Sequence, residues 1–205
     1  LIQMLNMHPK LPESKASSIR FLLSGSAPLP VEAMKKFEEI TGSTIIEGFG
    51  GSETTNGVIC NPKGKRKPGS IGIPFPDIDV KMVDLKNGVD EVPIGEPGEF
   101  LIKGPLIIER HWNKPEETAN AIRDGWLYTG DIATMDEDGY LTIVGRTKDM
   151  IISSGFNVYP RDIDELLYTH PKILDAGAIG VPDPIRGESV KVFVVLKQNV
   201  NEVVV

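Results

Sequence analysis

Apolar residues in the first part of the chain alternate between strand-like and helix-like spacing. Residues 19–23 (IRFLL) predict a strand, which the small residues 24–28 (SGSAP) end. Apolar positions then recur at helical spacing over residues 31–40, before a glycine that can end the helix. Residues 44–46 (TII) predict a second strand. This β-α-β unit should be parallel and right-handed, so both strands end at the sheet edge where ligands of open α/β folds bind.

The pattern changes after Pro68. Residues 78–83 alternate between apolar and polar positions, which predicts a strand, and an Asn-Gly and a Pro-Gly pair mark turns further on. Residues 100–102, 126–129 and 140–144 predict three more strands, and a short helix should begin at Pro115. These elements predict a small antiparallel barrel packed on the α/β part.

A third pattern begins near residue 146. A strand at residues 150–152, a turn, a helix from Pro160 and two further strands (residues 176–181 and 190–196) predict a small α+β unit with its last element missing. The predicted domains are therefore residues 1–68 (α/β), 69–145 (barrel) and 146–205 (truncated α+β unit).

Composition narrows the function classes. The chain has 205 residues, is 40% hydrophobic and carries a net charge of −7, which is typical of a globular protein and argues against a nucleic-acid partner. The basic run at residues 63–67 is expected to be a solvated loop, with a phosphate-facing role as the alternative. One cysteine suits a reducing compartment, so a cytoplasmic location is expected. Without a long apolar segment, membrane contact is expected to be peripheral at most.

The glycine-rich stretch at residues 48–54 (GFGGSET) is the first candidate for chemistry. Glycines expose backbone N–H groups, which suit phosphate oxygens, and the carboxylate of Glu53 suits magnesium. The alternative is a plain strand-ending turn. The stretch is not a Walker loop, because no Gly-Lys-Ser/Thr follows it.

A second candidate is residues 128–131 (YTGD), predicted to end a strand with the carboxylate of Asp131. One carboxylate can accept hydrogen bonds from both hydroxyls of a ribose, although a turn aspartate bonding its own backbone is the commoner case. Arg146 follows a strand and a glycine and could reach ribose, phosphate or a surface carboxylate. The three histidines form no metal-binding pattern and none is assigned catalysis. Trp112 and Trp126 are expected in the core.

Five ordered stretches together resemble the adenylate-forming superfamily, and most closely the long-chain fatty-acyl-CoA ligases. They are residues 24–29 (SGSAPL), 47–54 (EGFGGSET), 95–104 (GEPGEFLIKG), 128–131 (YTGD) and 145–160 (GRTKDMIISSGFNVYP). The resemblance implies a partial adenylate-forming fold with α/β, β-barrel and α+β lid parts. It implies that a carboxylate is joined to AMP and then passed to the thiol of CoA, with ATP, Mg²⁺ and CoA required. A homodimer is compatible with it.

The resemblance also implies roles for individual residues. An adenine slot would be formed by Gly25, Ser26, Ala27, Gly48 and Phe49, with Gly50 and Ile143 as further nucleotide-binding residues. Ser52 and Glu53 would be catalytic, with Ser52 touching phosphate and Glu53 holding magnesium. Asp131 and Arg146 would hold the ribose. Lys148 would be the hinge to the lid, and Gly155 would lie on the CoA side.

Three residues depart from the superfamily pattern. Phe49 stands where tyrosine is usual, Ser52 replaces threonine, and Gly51 replaces a larger apolar residue, which would loosen the loop or widen the acyl pocket. The superfamily's phosphate loop and adenylation lysine would lie before Leu1 and beyond Val205, so these 205 residues alone are expected to be inactive. The alternatives are an aryl-acid or amino-acid adenylating enzyme and a non-catalytic nucleotide-binding module.

Overall fold

The computed structural model describes residues 1–197. The chain separates into two compact units, Leu1–Ile143 and Val144–Val205. The end of the third predicted domain, residues 198–205, lies outside the described residues. Within residues 1–197, no helix has both the length and the apolar character needed to span a membrane.

The helices of the described chain are short. They are α1 (Ile2–Asn6), α2 (Val31–Thr41), α3 (Pro115–Ala121) and α4 (Pro160–Tyr168), with 3-10 turns at Lys15–Ser18 and Ser52–Thr54. The strands of the first unit are β1 (Leu22–Ser24), β2 (Ile45–Gly50), β3 (Gly57–Cys60), β4 (Ile73–Pro74), β5 (Asp79–Val83), β6 (Gly98–Lys103), β7 (Ile122–Arg123) and β8 (Trp126–Met135). They are followed by β9 (Leu141–Arg146), β10 (Ile151–Ser153), β11 (Phe156–Val158), β12 (Ile173–Asp183) and β13 (Gly187–Leu196).

The first sheet has the order β1-β2-β3-β4. β1 and β2 are parallel and are joined through α2, which confirms the predicted β-α-β unit. Gly42 ends α2 in the left-handed conformation, with φ at 69°, as its position after the apolar face indicates. Met34 and Phe37 on that face are buried against Ile45 of β2 in one cluster. This packing fixes where the ends of β1 and β2 lie.

The second sheet is antiparallel, with the order β5-β6-β8-β7 and with β9 paired to β8. Its inner face buries Phe100, Ile102 and Leu141 together with Val58 and Ile59 of the first sheet. The two sheets of the first unit therefore share one core. The predicted helix at Pro115 is confirmed as α3, whose first turn carries two glutamates where the helix dipole favours negative charge.

The second unit contains a sheet of order β11-β10-β13-β12 and the helix α4. β10 and β11 form a hairpin whose turn is made by Ser154 and Gly155, both with positive φ. Pro160 begins α4, as predicted. The strands β12 and β13 are longer than the predicted ones and pair along most of their length.

One surface expectation is wrong and another holds only in part. Trp112 is 81% exposed and is not a core residue. The basic run is not a simple solvated loop: Arg66 donates hydrogen bonds of 2.7 Å to Glu38 Oε2 and to the Ile45 carbonyl. Lys67 pairs with Asp136 and Asp138 at 2.6 and 2.7 Å. The opposite charges lie far away in sequence, so residue spacing gave no sign of these pairs.

Candidate nucleotide site

The ends of β1 and β2 lie side by side, as the parallel topology predicts. Ser24 is in register with Glu47, so the glycines that follow each of them are neighbours. A Cβ atom on Gly25 would lie 3.0 Å from the Gly48 carbonyl oxygen. The next residue, Ser26, has φ at 65°, a conformation that side-chain-bearing residues rarely adopt. The two loops therefore meet through bare backbone.

The glycine-rich stretch differs from the predicted loop, because β2 continues through Gly50. Gly48 and Gly50 pair with β3, with a register shift between Phe49 and Gly50. A Cβ on Gly50 would lie 2.3 Å from the Asn56 carbonyl oxygen, and one on Gly48 would lie 2.9 Å from the Ile59 carbonyl oxygen. These two positions need glycine because the chain's own backbone is so close. The loop itself begins at Gly51.

Ser52 and Glu53 lie in a tight 3-10 turn directly after that strand. The turn is held by Thr54, which is buried and whose Oγ1 accepts a hydrogen bond of 2.8 Å from the Gly51 N–H and donates one of 2.6 Å to the Asn56 carbonyl. Ser52 is exposed, and the side chain of Glu53 is 43% exposed. The hydroxyl and the carboxylate are thus presented from a rigid turn to solvent.

Asp131 does not end a strand; it lies inside β8 at a bulge. Leu101 of β6 pairs with Tyr128 and Glu99 pairs with Ile132, so three residues of β8 lie opposite Phe100 alone. Gly130 makes this possible with φ at 70°. Bulges re-aim side chains and are frequent beside active sites. The Thr-Gly-Asp sequence looked like a strand end because a bulge and a turn need the same residues.

Phe100 connects this bulge to the glycine-rich strand. Its ring is fully buried and meets the ring of Phe49 edge-on, at a centroid distance of 5.4 Å. Its carbonyl accepts a 2.6 Å hydrogen bond from Thr129 Oγ1 in the bulge. The structure therefore brings the segments of Phe49 and Asp131, which are 82 positions apart by number, onto one buried residue. Sequence reasoning did not indicate this role of Phe100.

The other candidate residues divide between the two units. Ile143 lies in β9 and packs on the core of the first unit. Arg146, Lys148 and Gly155 belong to the second unit. Arg146 ends β9, and its carbonyl accepts hydrogen bonds from the N–H groups of Asp149 and Met150 in a tight turn that includes Lys148. Gly155 has φ at 84° and open space where a Cβ would be.

Two ionisable groups near these segments have raised pKa values. Burial raises the pKa of the Glu99 carboxyl, and a hydrogen bond from the Gly130 N–H opposes that rise. Burial likewise raises the pKa of the Cys60 thiol. Both groups lie in strands that border the candidate site, on β6 beside the bulge and on β3 beside Gly48. Both side chains are half-buried where their strands border the candidate site.

His111 is a site neighbour that sequence reasoning missed. Its Nε2 lies 3.7 Å from Oε1 of Glu53, although 58 positions separate the two residues. The segment after β6 carries it there: the Ile108 N–H donates a 2.9 Å hydrogen bond to the Glu53 carbonyl, and Thr55 Oγ1 donates one of 2.8 Å to the Leu106 carbonyl. No local sequence pattern predicts a contact between residues so far apart in the chain.

Glu53 suits magnesium only as a metal ion that is bound together with a nucleotide. Over residues 1–197, no three histidine, cysteine, aspartate or glutamate side chains converge on a point where they could enclose a metal ion. Magnesium bound with a nucleotide needs no such cage, because one carboxylate, the phosphates and water complete its coordination. An exposed carboxylate on a rigid turn meets that requirement.

Comparison with known proteins decides the family. The profile of the AMP-binding enzymes matches residues 1–112, and that of the AMP-binding enzyme C-terminal domain matches residues 162–205. The chain belongs to the AMP-binding enzyme family. The predicted relationship to the adenylate-forming superfamily is confirmed.

Relatives within the family carry several names. A long-chain-fatty-acid–CoA ligase of Bacillus subtilis is 50% identical over 93% of this chain and 34% of its own length. A long-chain-fatty-acid–CoA ligase of Yersinia pestis is 46% identical over 87% of this chain and 32% of its own length. A feruloyl-CoA synthase of an Amycolatopsis species is 39% identical over 95% of this chain and 40% of its own length. The chain thus spans about a third of the fatty-acid ligases that it matches.

Solved structures agree with the fold. The ATP-bound RpMatB-BxBclM chimera B3 matches with a TM-score of 0.91 and 36% identity, over 98% of this chain and 40% of its own. The anthranilate CoA ligase AuaEII in complex with anthranoyl-AMP matches with a TM-score of 0.90 and 31% identity, over 98% of this chain and 39% of its own. The predicted partial adenylate-forming fold, with α/β, barrel and α+β parts, is confirmed.

Proposed function

We propose that this chain supplies the nucleotide-binding part of an ATP-dependent long-chain fatty-acid–CoA ligase. The main support is the junction at Phe100, where Phe49 and the bulge of Asp131 share one buried residue. A flat ring and a carboxylate whose segments are held by one buried residue suit a nucleoside, with the base on the ring and the ribose on the carboxylate. The 50% identity to a long-chain-fatty-acid–CoA ligase supports the acyl substrate.

The proposed roles are those that the resemblance to adenylate-forming enzymes implies. Gly25, Ser26, Ala27, Gly48 and Gly50 line the adenine side with backbone, because their side chains are small or absent. Phe49 faces the base, and Ile143 closes the apolar side. Asp131 holds the ribose, and Arg146 is assigned to the ribose by the resemblance alone. Ser52 donates to phosphate, and Glu53 holds the magnesium that, when bound, neutralises phosphate charge.

The reaction has two steps. The fatty-acid carboxylate attacks the α-phosphorus of ATP, pyrophosphate leaves, and acyl-AMP forms. The CoA thiolate then attacks the acyl carbonyl carbon, and AMP leaves with the electron pair of the broken C–O bond. Both steps bring negative charges together, so N–H groups and cations at the site must offset the growing charge. Lys148 is the proposed hinge to the lid, which would move between the two steps. Gly155 lies on the proposed CoA side.

The carboxylate substrate is the point on which relatives differ. Similar proteins include a feruloyl-CoA synthase and an anthranilate CoA ligase, so an aryl acid is the second candidate. Pyrophosphate release by a complete ligase carrying this chain separates them. Palmitate is expected to give a rate far above ferulate, anthranilate or an amino acid. Faster turnover of an aryl or amino acid would contradict the fatty-acid assignment.

The same assay tests the remaining alternative. If a complete protein carrying this chain binds AMP but releases no pyrophosphate with any carboxylic acid, the fold is a non-catalytic nucleotide-binding module. The 205-residue chain alone serves as a second sample. We expect it to release no pyrophosphate, because it spans only about a third of the length of the fatty-acid ligases that it matches. Release at a rate near that of the complete ligase would contradict this expectation.

A further inference from the structure

The Glu53 carboxylate has a neighbour on each side. Its Oε1 lies 3.7 Å from Nε2 of His111. Its Oε2 lies over Gly51, where an added Cβ would be 3.2 Å away. Any larger residue at position 51 would press on that oxygen. One oxygen of the carboxylate thus faces an imidazole, and the other lies over a glycine that has no side chain.

The Nε2 atom of the His111 imidazole is the one that faces Glu53. Its Nδ1 is buried and has no hydrogen-bond partner among residues 1–197. A proton on Nδ1 would aim the lone pair of Nε2 at a carboxylate, which is an unfavourable arrangement. A proton on Nε2 instead faces the carboxylate. The distance of 3.7 Å exceeds that of a hydrogen bond, so the two groups face each other without forming one.

The backbone around His111 is held independently of its ring. The His111 N–H donates a 2.9 Å hydrogen bond to Thr118 Oγ1, which donates one of 2.8 Å to the Lys114 carbonyl at the start of α3. Ile108 and Leu106 bind the turn of Glu53 through backbone groups. Truncating the imidazole should therefore leave this segment in place.

We propose that His111 is a positioning residue that, together with the open face of Gly51, sets the direction of the Glu53 carboxylate toward the metal–nucleotide complex. The inference rests on the proposed function, in which Glu53 holds magnesium. It gives Gly51 a purpose, because the missing side chain leaves room for the carboxylate.

The test measures how much magnesium improves ATP binding. Calorimetry on a complete ligase carrying this chain gives the Kd of ATP in excess Mg²⁺ and in excess EDTA. The Kd in EDTA divided by the Kd in Mg²⁺ is the ratio that reports the metal's contribution. His111→Ala should lower that ratio about tenfold, the lower end of what partners of metal ligands contribute. AMP binding in EDTA should stay within about twofold of the parent. His111→Gln, which keeps an N–H donor, should recover part of the ratio.

Two further single variants and one double variant keep the result decisive. Trp112→Ala changes the exposed neighbour and should leave the ratio unchanged. Gly51→Ala should lower the ratio because its methyl group displaces Oε2, and it gives the same readout if His111→Ala fails to fold. In the double variant His111→Ala, Glu53→Gln, the loss should not exceed that of Glu53→Gln alone, since both act through one carboxylate.

The outcomes separate the inference from the proposed function. A parent protein that binds ATP, with a ratio that neither His111→Ala nor Gly51→Ala lowers, overturns the inference and leaves the proposed function standing. Equal losses in Mg²⁺ and in EDTA, accompanied by a lower melting temperature, show a purely structural role and also overturn it. A parent protein that binds no nucleotide overturns both.

Discussion

The ring of Phe49 meets the ring of Phe100 edge-on, with their planes at 73° and their centroids 5.4 Å apart. This edge-to-face arrangement fixes the plane of Phe49 through a residue that is fully buried. The ring of Phe49 is itself only partly buried. A base lying on Phe49 would therefore meet a surface whose orientation is set by the protein core.

Replacing Phe49 should weaken AMP binding through loss of the flat ring. Phe49→Leu keeps much of the apolar volume against Phe100 and should cost about 1–3 kcal/mol of AMP binding, the range for a base on an aromatic ring. Phe49→Tyr keeps the ring and should bind within about twofold of the parent. Calorimetry with AMP measures both. Equal affinities for the leucine variant and the parent would remove Phe49 from the adenine role.

Asp131 should act on the ribose hydroxyls and on nothing else in the nucleotide. Asp131→Ala should weaken AMP binding by about 1.5–3 kcal/mol for each charged hydrogen bond lost. The same variant should show little loss with 2′,3′-dideoxy-AMP, because the hydroxyl groups are already absent. A loss of equal size with both nucleotides would mean that Asp131 supports the bulge and not the ribose.

Arg66 should stabilise the first unit. Its guanidinium bonds to Glu38 and to the Ile45 carbonyl, while the other oxygen of Glu38 accepts a 2.7 Å hydrogen bond from the Ile45 N–H. Arg66→Met leaves a half-buried carboxylate and a carbonyl without this partner. It should lower the free energy of unfolding by about 1–3 kcal/mol. Lys65→Met, at an exposed neighbour, is the matched control and should change it by less than about 0.5 kcal/mol.

Topology explains how much of this molecule could be predicted from the sequence. The spacing of apolar residues predicted α2, Gly42 marked the end of α2, and Pro160 marked the start of α4. These features could be predicted because their signals are local in the sequence. The parallel pairing of β1 and β2 followed from a general rule for β-α-β units. The meeting of Gly25 and Gly48 then needed no further information.

What sequence reasoning missed depends on contacts between distant segments. The bulge at Asp131 arises because β6 and β8 fall out of register opposite Phe100, and a single strand carries no record of its partner's register. The pairing of His111 with Glu53 depends on where the segment after β6 folds back. Trp112 was misplaced because a large apolar ring favours the core on average, and exposure here is set by the path of that segment.

The turn between β12 and β13 should be sensitive to acid. Hydrogen bonds from Ser189 Oγ and from the N–H groups of Arg186 and Ile185 lower the pKa of Asp183 to about 2. Because the folded pKa is depressed, this carboxylate stabilises the turn fully above about pH 4 and loses its effect as pH falls through about 2. NMR titration of the Asp183 carboxyl measures the pKa.

Asp183→Asn is the matched variant for that turn. It keeps an oxygen that accepts the N–H groups but removes the charge. It should weaken the protection of the β12–β13 amides from hydrogen exchange at pH 7, and the difference from the parent should shrink toward pH 2. A carboxyl that titrates at its ordinary value near 4 would contradict the account of this turn.

Hydrogen exchange with and without AMP tests the central claim most directly, namely that three separate segments form one nucleotide site. In a complete ligase carrying this chain, AMP should slow exchange in peptides that cover residues 24–27, 48–53 and 129–132 together. The turn at residues 84–90 carries no candidate site residue and should be unaffected. Protection of all three segments at AMP concentrations near its Kd is the result we predict. Protection of none, or of one segment without the others, would contradict the site.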